Sequence, residues 1–209
     1  MKTKILICFL WIGLLNSIAS ASWEKKPQLR LAELCHVDLN DSDDQFYAQH
    51  LSATFNYLNK QQEPLFKLMP FFEARRNFKR DIWERVELGL ELGTDILPWV
   101  YFGQTIQATW LKENYCQYTY HKQREPIEWG TKLMFSYNIL ERKNLKLRGF
   151  ILEEYTYDFD LGEGTRNEVA IGLAIPLGNY LETTINWRHI DRIHDFDSDT
   201  IEGALTFIF

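Results

Sequence analysis

One stretch near the end of the chain holds most of the residue types that could do chemistry. His189, Asp191 and His194 are close enough in sequence for a histidine to act as a general base while a carboxylate orients it. Ser198 is the nearest candidate nucleophile. A set of this kind would support acyl hydrolysis or acyl transfer.

The same stretch also offers a candidate cation site. Asp195, Asp197 and Asp199 recur at alternate positions, and carboxylate oxygens are ligands that Ca²⁺ prefers. The glycine and the closing glutamate of an EF-hand loop are missing. Because Asp and His are common in turns between strands, the sequence favours a solvated loop over either chemical interpretation.

Alternation of apolar and polar residues indicates the elements that would position these groups. In the last stretch of the chain, Ile201, Leu205, Phe207 and Phe209 share one parity, and polar or small residues occupy the other. Such alternation is typical of a strand with one apolar face. Together with nine similar stretches it predicts ten strands: Leu29–Val37, Phe46–Leu58, Leu65–Arg75, Ile82–Leu92, Val100–Leu111, Trp129–Ile139, Leu145–Tyr157, Val169–Leu177, Leu181–Ile190 and Ile201–Phe209.

Two of these strands have competing features. Phe46–Leu58 also fits a helix with one apolar face. Pro70 lacks the donor that a sheet needs, so it predicts a bulge or an irregular edge. Turns are predicted at Gly93–Asp95, Glu141–Asn144 and Gly178–Asn179, and a longer loop at Asp160–Gly164.

The beginning of the chain resembles a secretory signal peptide. Lys2 and Lys4 precede an apolar segment, and Ala19-Ser20-Ala21 follows it. This order predicts cleavage after Ala21, with residues 22–209 as a single barrel domain. After Ala21 the sequence has no apolar run of about 18 residues, so a membrane would have to be crossed by strands.

The two parities of the strands predict two different surfaces. Trp110, Trp129 and Trp187 lie on the apolar parity and are expected to form an aromatic girdle. Charges of both signs lie on the polar parity and suit a narrow lumen, in which each buried ion needs a partner. These predicted lumen charges are Arg85, Glu87, Glu91, Glu128, Lys132, Lys146, Arg148, Glu168, Glu182, Arg188 and Glu202.

An apolar final strand that ends on Phe209 resembles the closing strand of Gram-negative outer-membrane β-barrel proteins, in which it serves as the assembly signal. The resemblance implies an all-β, antiparallel, up-and-down transmembrane β-barrel with ten strands. Eight strands, with the residues before about Phe72 forming a plug or rim, are the alternative. The resemblance also implies an outer-membrane location, with membrane lipid, lipopolysaccharide and the barrel insertion machinery as partners. It brings no active-site motif to this chain.

The expected function is a structural or binding role at the cell surface, for a barrel whose charged lumen is occluded. An outer-membrane lipid-modifying hydrolase or acyltransferase with a His/Asp site at the rim is one alternative, although an enzyme is not the favoured prediction. A soluble periplasmic lipocalin-like barrel is the other. No cofactor is predicted, and a net charge of −6 gives no electrostatic reason to bind nucleic acid.

Three smaller groups complete the predictions. His50, Ser52 and Thr54 are expected to point into the lumen and form ordinary hydrogen bonds there. Cys35 and Cys116 are read as two free thiols, although a disulfide is open to them in an oxidising compartment. A basic patch near the outer end of the third and fourth strands would suit lipopolysaccharide phosphates, or would simply be a solvated loop. Its members are Arg75, Arg76, Lys79, Arg80 and Arg85.

Overall fold

A computed structural model describes residues 22–40, 45–79, 81–111, 126–142, 145–193 and 197–209. The predicted signal peptide, residues 1–21, lies outside the described residues. Within those ranges no helix has the length and apolar character to cross a membrane. The strands are β1 (Ser22–Trp23), β2 (Gln28–Asp38), β3 (Gln45–Leu58), β4 (Pro64–Asn77), β5 (Ile82–Leu97), β6 (Val100–Leu111), β7 (Ile127–Arg142), β8 (Leu145–Asp158), β9 (Glu163–Pro176), β10 (Leu181–Arg192) and β11 (Ser198–Ile208).

Strands β2 to β11 form one closed antiparallel sheet. Each strand pairs with the next along the chain, and β11 pairs with β2 from Thr200↔Asp38 to Ile208↔Arg30. The prediction of a ten-stranded, all-β barrel is therefore confirmed. The eight-stranded alternative is wrong, because β2 and β3 belong to the barrel wall. Closure leaves none of these ten strands as an open sheet edge.

The closed sheet turns its apolar parity outward and its polar parity inward. Leu88, Ile171 and Ile185 on the outer face are 54%, 52% and 56% exposed. Glu87 and Glu168 on the inner face are each only 4% exposed. The period of two places successive side chains on opposite faces, so this pattern continues around the wall.

The two ends of the barrel differ in their connections. The end that holds Phe209, here called the turn end, has the connections 59–63, 98–99, 143–144 and 177–180. The opposite end, here called the loop end, has 39–44, 78–81, 112–126, 159–162 and 193–197. At the turn end, Gly178 has φ +84°, which favours glycine, and Leu177 donates to Leu181 across the turn at 2.7 Å. The predicted turn at Gly178–Asn179 is confirmed.

The predicted turn at Gly93–Asp95 is wrong. Strand β5 continues to Leu97, and the chain reverses after it. Gly93 faces the lumen, and a Cβ there would collide with the ring of Tyr101. Thr94 donates its hydroxyl to the carbonyl of Leu65 at 2.8 Å. The glycine is thus explained by the close approach of an aromatic ring and not by a turn.

Strand β9 begins earlier than the predicted Val169. It starts at Glu163, inside the stretch predicted as a loop. Its first half carries polar residues on both faces, which hides the alternation: Arg166 faces inward and Asn167 faces outward. Alternation of hydrophobicity detects a strand only where one of its faces is apolar.

Pro70 interrupts its pairing with β3 without causing a bulge. The register passes from Ser52↔Phe71 to Phe55↔Leu68 with no shift, and no pairing is formed between these two points. On its other side Pro70 pairs with Leu90. The predicted irregularity is therefore a local gap, which the missing N–H of proline explains.

Candidate functional site: the lumenal charge ring

Charged side chains of alternating sign line the lumen toward the loop end. On the β4–β7 wall, Arg75 donates to Glu73 at 2.6 Å and lies 4.0 Å from Glu87. Arg85 forms an ion pair with Glu87 and lies 3.8 Å from Glu128 on β7. The two arginines therefore share Glu87, whose side chain is only 6% exposed.

A second series lines the β9–β11 wall. Arg166 contacts Glu168 at 2.7 Å, and Arg188 on β10 contacts the other oxygen of Glu168 at 2.5 Å. Arg188 also reaches Glu202 on β11 at 3.4 Å. Each carboxylate on this wall lies beside a guanidinium group, so none of these buried charges is isolated.

Two histidines and a phenylalanine join the two walls. His36 Nδ1 lies 3.6 Å from Glu202, and His50 Nδ1 lies 3.0 Å from Glu73. The ring of Phe46 stacks on His36 at 4.1 Å, and the guanidinium of Arg75 lies 4.9 Å from the same ring. The charged residues of the two walls and the two histidines are together called the charge ring, and Phe46 packs against it. Its members are His36, His50, Glu73, Arg75, Arg85, Glu87, Glu128, Arg166, Glu168, Arg188 and Glu202.

The charge ring also interacts across the lumen. Strands β4 and β9 lie on opposite walls, five positions apart in the closed sheet. Arg75 on β4 nevertheless interacts electrostatically with Glu168 on β9, and Arg166 on β9 interacts with Glu87 on β5. The two walls therefore act on each other, as opposite charges do in a medium of low dielectric constant.

A smaller cluster lies below the charge ring, toward the turn end. Lys132 on β7 donates to Glu91 at 2.7 Å and lies 3.8 Å from Glu154. Glu91 also accepts a hydrogen bond from Tyr101 and one from Thr105 at 3.4 Å. One ammonium group thus contacts two carboxylates from different strands.

The remaining predicted lumen charges lie at the mouth of the turn end. Arg148 contacts Glu182 at 2.9 Å, but the arginine is 44% exposed. Lys146 contacts Glu141 at 2.9 Å, and both side chains are more than half exposed. Lys146 shares the inner parity of Arg148 on β8, and its place at the end of the β7–β8 hairpin leaves its side chain at the exposed mouth.

The predicted basic patch does not form one surface. Arg75 and Arg85 point into the lumen and belong to the charge ring. Arg76 lies outside and pairs with Asp81. Lys79 has an interaction of its own, and Arg80 lies outside the described residues. Because successive side chains of β4 and β5 point to opposite faces of the wall, basic residues that are close in sequence lie on different surfaces.

The rim stretch does not assemble the predicted catalytic set. His189 Nδ1 lies 3.0 Å from Asp199, both on the outer face, and the imidazole stacks near Trp187. Ser198 is buried on the inner face and accepts a hydrogen bond from Arg192 at 3.0 Å. His189 on β10 and Ser198 on β11 point to opposite faces of the barrel wall, so they cannot act together as base and nucleophile.

The other rim residues are not brought into a common site by the described part of the chain. Asp191 lies on the outer face, opposite Asn167. Asp197 accepts a hydrogen bond from the backbone of Arg192 at 3.1 Å. His194 and Asp195 lie outside the described residues. Among the residues that the structure describes, no three His, Cys, Asp or Glu side chains are grouped as a metal site would require.

The predicted aromatic girdle and closing residue are placed on the outer surface. Trp110, Trp129 and Trp187 are 37–40% exposed on the outer face. Phe209 exchanges two backbone hydrogen bonds with Leu29, at 2.9 and 3.3 Å, at the seam between β11 and β2. Cys35 is exposed on the outer face of β2 as a free thiol, and Cys116 lies outside the described residues.

Several members of the two lumenal clusters were missed in the sequence. Glu73 and Glu154 lie on the inner parity of predicted strands, so a count of every polar-parity charge would have found them. Arg166 lies before the predicted start of its strand. His36 lies on the inner parity of β2, where alternating Leu and Ala hide the polar character.

No family model matches the sequence, and no curated protein matches it. Solved structures with a similar fold include a KdgM porin in complex with disordered oligogalacturonate (6% identity, 87% of this chain and 99% of that chain, TM-score 0.46). They also include a bacterial polysaccharide outer membrane secretin (11% identity, 90% of this chain and 68% of that chain, TM-score 0.48). Another is the β domain of the Bordetella autotransporter BrkA (10% identity, 87% of this chain and 98% of that chain, TM-score 0.46). At these identities and TM-scores the likeness is one of barrel architecture and does not extend to a ligand or an activity.

Proposed function

We propose that this protein is an outer-membrane β-barrel whose lumen is closed by the charge ring, and that it serves a structural or binding role at the cell surface. The observation that carries the proposal is the burial of paired charges inside the barrel. Glu87, Glu91 and Glu168 are each at most 7% exposed, although they point into the lumen. A continuous column of water would leave such carboxylates accessible.

The dimensions of the barrel support closure. Ten strands spaced about 4.8 Å apart and tilted by roughly 40° give a backbone diameter of about 20 Å. Extended Arg and Glu side chains reach roughly 5–7 Å from the backbone. Inward-pointing side chains from all sides at one level therefore fill most of that width, and ion pairs hold them there.

The outer surface supports a membrane location. Its exposed residues are mainly apolar, and exposed tryptophans lie toward both ends of the barrel, with Trp110 and Trp129 toward the loop end and Trp99 at the turn end. A soluble lipocalin-like barrel would instead fill its interior with apolar side chains and turn charges outward, so the observed faces argue against that alternative. Outer-membrane lipid, lipopolysaccharide and the insertion machinery are the proposed partners, and the surfaces left for function are the loop end and the outer wall.

Three measurements test this proposal. The protein expressed from its full sequence is expected to fractionate with the outer membrane and to migrate faster on gels when it is not boiled. In planar bilayers it should show no stable large conductance. Replacing Arg75 and Arg188 by glycine should open discrete channels, whereas the same replacement of Lys146 and Arg148 at the turn-end mouth should not. A stable, large conductance of the unaltered protein would refute the closed lumen.

A further inference from the structure

A row of polar side chains crosses the outward face of five neighbouring strands. Gln104 on β6 lies opposite Thr131, and Thr131 lies opposite Tyr155. Tyr155 in turn lies opposite Asn167, and Asn167 opposite Asp191. This outer polar row shares the parity of the lipid-facing residues, so the alternation that makes most of the wall apolar is broken along it.

An outward-facing carboxylate adjoins this row. Glu153 is exposed between Ile151 and Tyr155 on β8, opposite Leu133 and Val169. In the described part of the chain, neither Glu153 nor Asp191 has a side-chain hydrogen bond or ion pair. Ionisable groups that face hydrocarbon are costly, and they are a sign of function unless a partner neutralises them.

Another outward carboxylate shows what a satisfied group looks like on this surface. Glu33 on β2 accepts hydrogen bonds from the hydroxyl of Tyr47 and, at 3.4 Å, from the amide of Gln49. Its own neighbours therefore provide its donors. Among the described residues, Glu153 and Asp191 have no such neighbours, so both carboxylates are left open to a donor from a bound molecule.

The two unpaired carboxylates line one depression on the outer wall. Its volume is about 440 Å³, and Tyr155 and Asn167 complete its polar lining. Arg166 borders it, but the guanidinium of that residue is engaged by Glu168 in the lumen. The depression therefore presents mainly acceptors, which select a cationic hydrogen-bond donor.

A separate apolar groove lies on the same outer wall, nearer the turn end. It encloses about 400 Å³ and is lined by Trp99, Ile151, Ile171 and Leu173, with Gly149 at its floor. Strand β8 connects the two features, since Gly149 and Ile151 lie in the groove and Tyr155 lies in the depression. From Gly149 to Tyr155 the strand extends about 20 Å, which is long enough to hold an extended acyl chain.

We propose that this combined surface binds a membrane lipid whose headgroup carries a primary ammonium group. The acyl chain lies in the groove over Gly149, and the ammonium group donates to Glu153 and Asp191. An ammonium group has three donors and a positive charge, which matches two carboxylates flanked by an amide and a hydroxyl. The inference rests on the proposed membrane location and goes beyond it by assigning a ligand to the outer wall.

The test uses the full-length protein folded into phosphatidylcholine nanodiscs that contain a minor fraction of phosphatidylethanolamine or phosphatidylglycerol. Native mass spectrometry after detergent release measures the lipid that stays bound. We expect one phosphatidylethanolamine per barrel, with retention roughly tenfold lower in the variant that carries both E153Q and D191N, because two charge-assisted hydrogen bonds are weakened. E33Q is the matched control and should retain the lipid as the unaltered protein does. G149L, which fills the groove, should lower retention with the carboxylates unchanged.

Two outcomes would overturn the proposal. One is equal retention of phosphatidylethanolamine by the unaltered protein and by the E153Q/D191N variant. The other is preferential retention of phosphatidylglycerol that requires Mg²⁺ and is abolished by EDTA, which would indicate a cation-bridged phosphate. Heat-modifiable migration of each variant confirms that it folds. A protein that fails to insert at all would contradict the membrane location itself, whereas one that inserts without retaining lipid would contradict only the lipid site.

Discussion

Replacing Glu168 by Gln removes the carboxylate that joins two guanidinium groups while keeping the shape of the side chain. Glu168 lies 2.7 Å from Arg166 and 2.5 Å from Arg188, and its side chain is 6% exposed. Removal of one partner from a buried ion pair costs about 3–5 kcal/mol. Arg188 keeps its contact with Glu202, and both arginines are about one fifth exposed. We therefore expect the free energy of unfolding to fall by about 2–3 kcal/mol.

Urea unfolding of the protein in phospholipid vesicles, followed by tryptophan fluorescence, measures this change. The matched control is Glu182→Gln, because Glu182 also contacts an arginine at 2.9 Å, but at the exposed mouth of the barrel. It should lower the free energy of unfolding by less than about 1 kcal/mol. A variant with both Glu168→Gln and Arg188→Met should recover part of the loss, since the unpaired cation is then removed as well.

Equal effects of Glu168→Gln and Glu182→Gln would refute this reasoning. Such a result would mean that water reaches Glu168 and solvates its partners, which is incompatible with a closed lumen. A double variant that is less stable than the sum of its single changes would also contradict the pairing of Glu168 with Arg188.

Three further predictions concern the wall and its seam. Gly172→Ala should lower the free energy of unfolding by about 1–3 kcal/mol, because its Cβ would lie 2.6 Å from the Cβ of Asn186 and 2.7 Å from a backbone carbonyl oxygen. Gly203→Ala is the neutral control in the same urea titration, because a Cβ at Gly203 would have no atom within 4 Å. Deletion of Phe209 removes two backbone hydrogen bonds at the β11–β2 seam and should reduce outer-membrane insertion while leaving secretion intact. Normal insertion of this variant in a fractionation assay would argue against the role of Phe209 as the assembly signal. Cys35, studied with Cys8 and Cys116 replaced by serine, should resist a water-soluble maleimide in the folded, membrane-embedded protein and react after urea unfolding. Rapid labelling of the folded protein would place its thiol outside the hydrocarbon.

Alternation in the sequence was sufficient to predict the class of fold, the number of strands and the face to which most side chains belong. The reason is local, because successive side chains of a strand point to opposite sides whatever the strand pairs with. Glu87 and Leu88 could therefore be assigned to opposite faces from their neighbours alone. The same logic failed where a strand has no apolar face, as in the first half of β9, and where glycine serves packing and not a turn, as at Gly93.

The partners of the charged residues were decided only by the tertiary structure. Arg166 and Glu87 are distant in the chain and lie on different walls, and their interaction depends on closure of the sheet and on the register of every strand between them. The outer polar row is likewise invisible in the sequence, since Gln104, Thr131, Tyr155, Asn167 and Asp191 come from five strands. A one-residue change of register in any of these strands would turn its member of the row into the lumen, because side chains alternate with a period of two. The sequence thus determines which face each residue occupies, and the registers of the closed barrel determine which residues meet there.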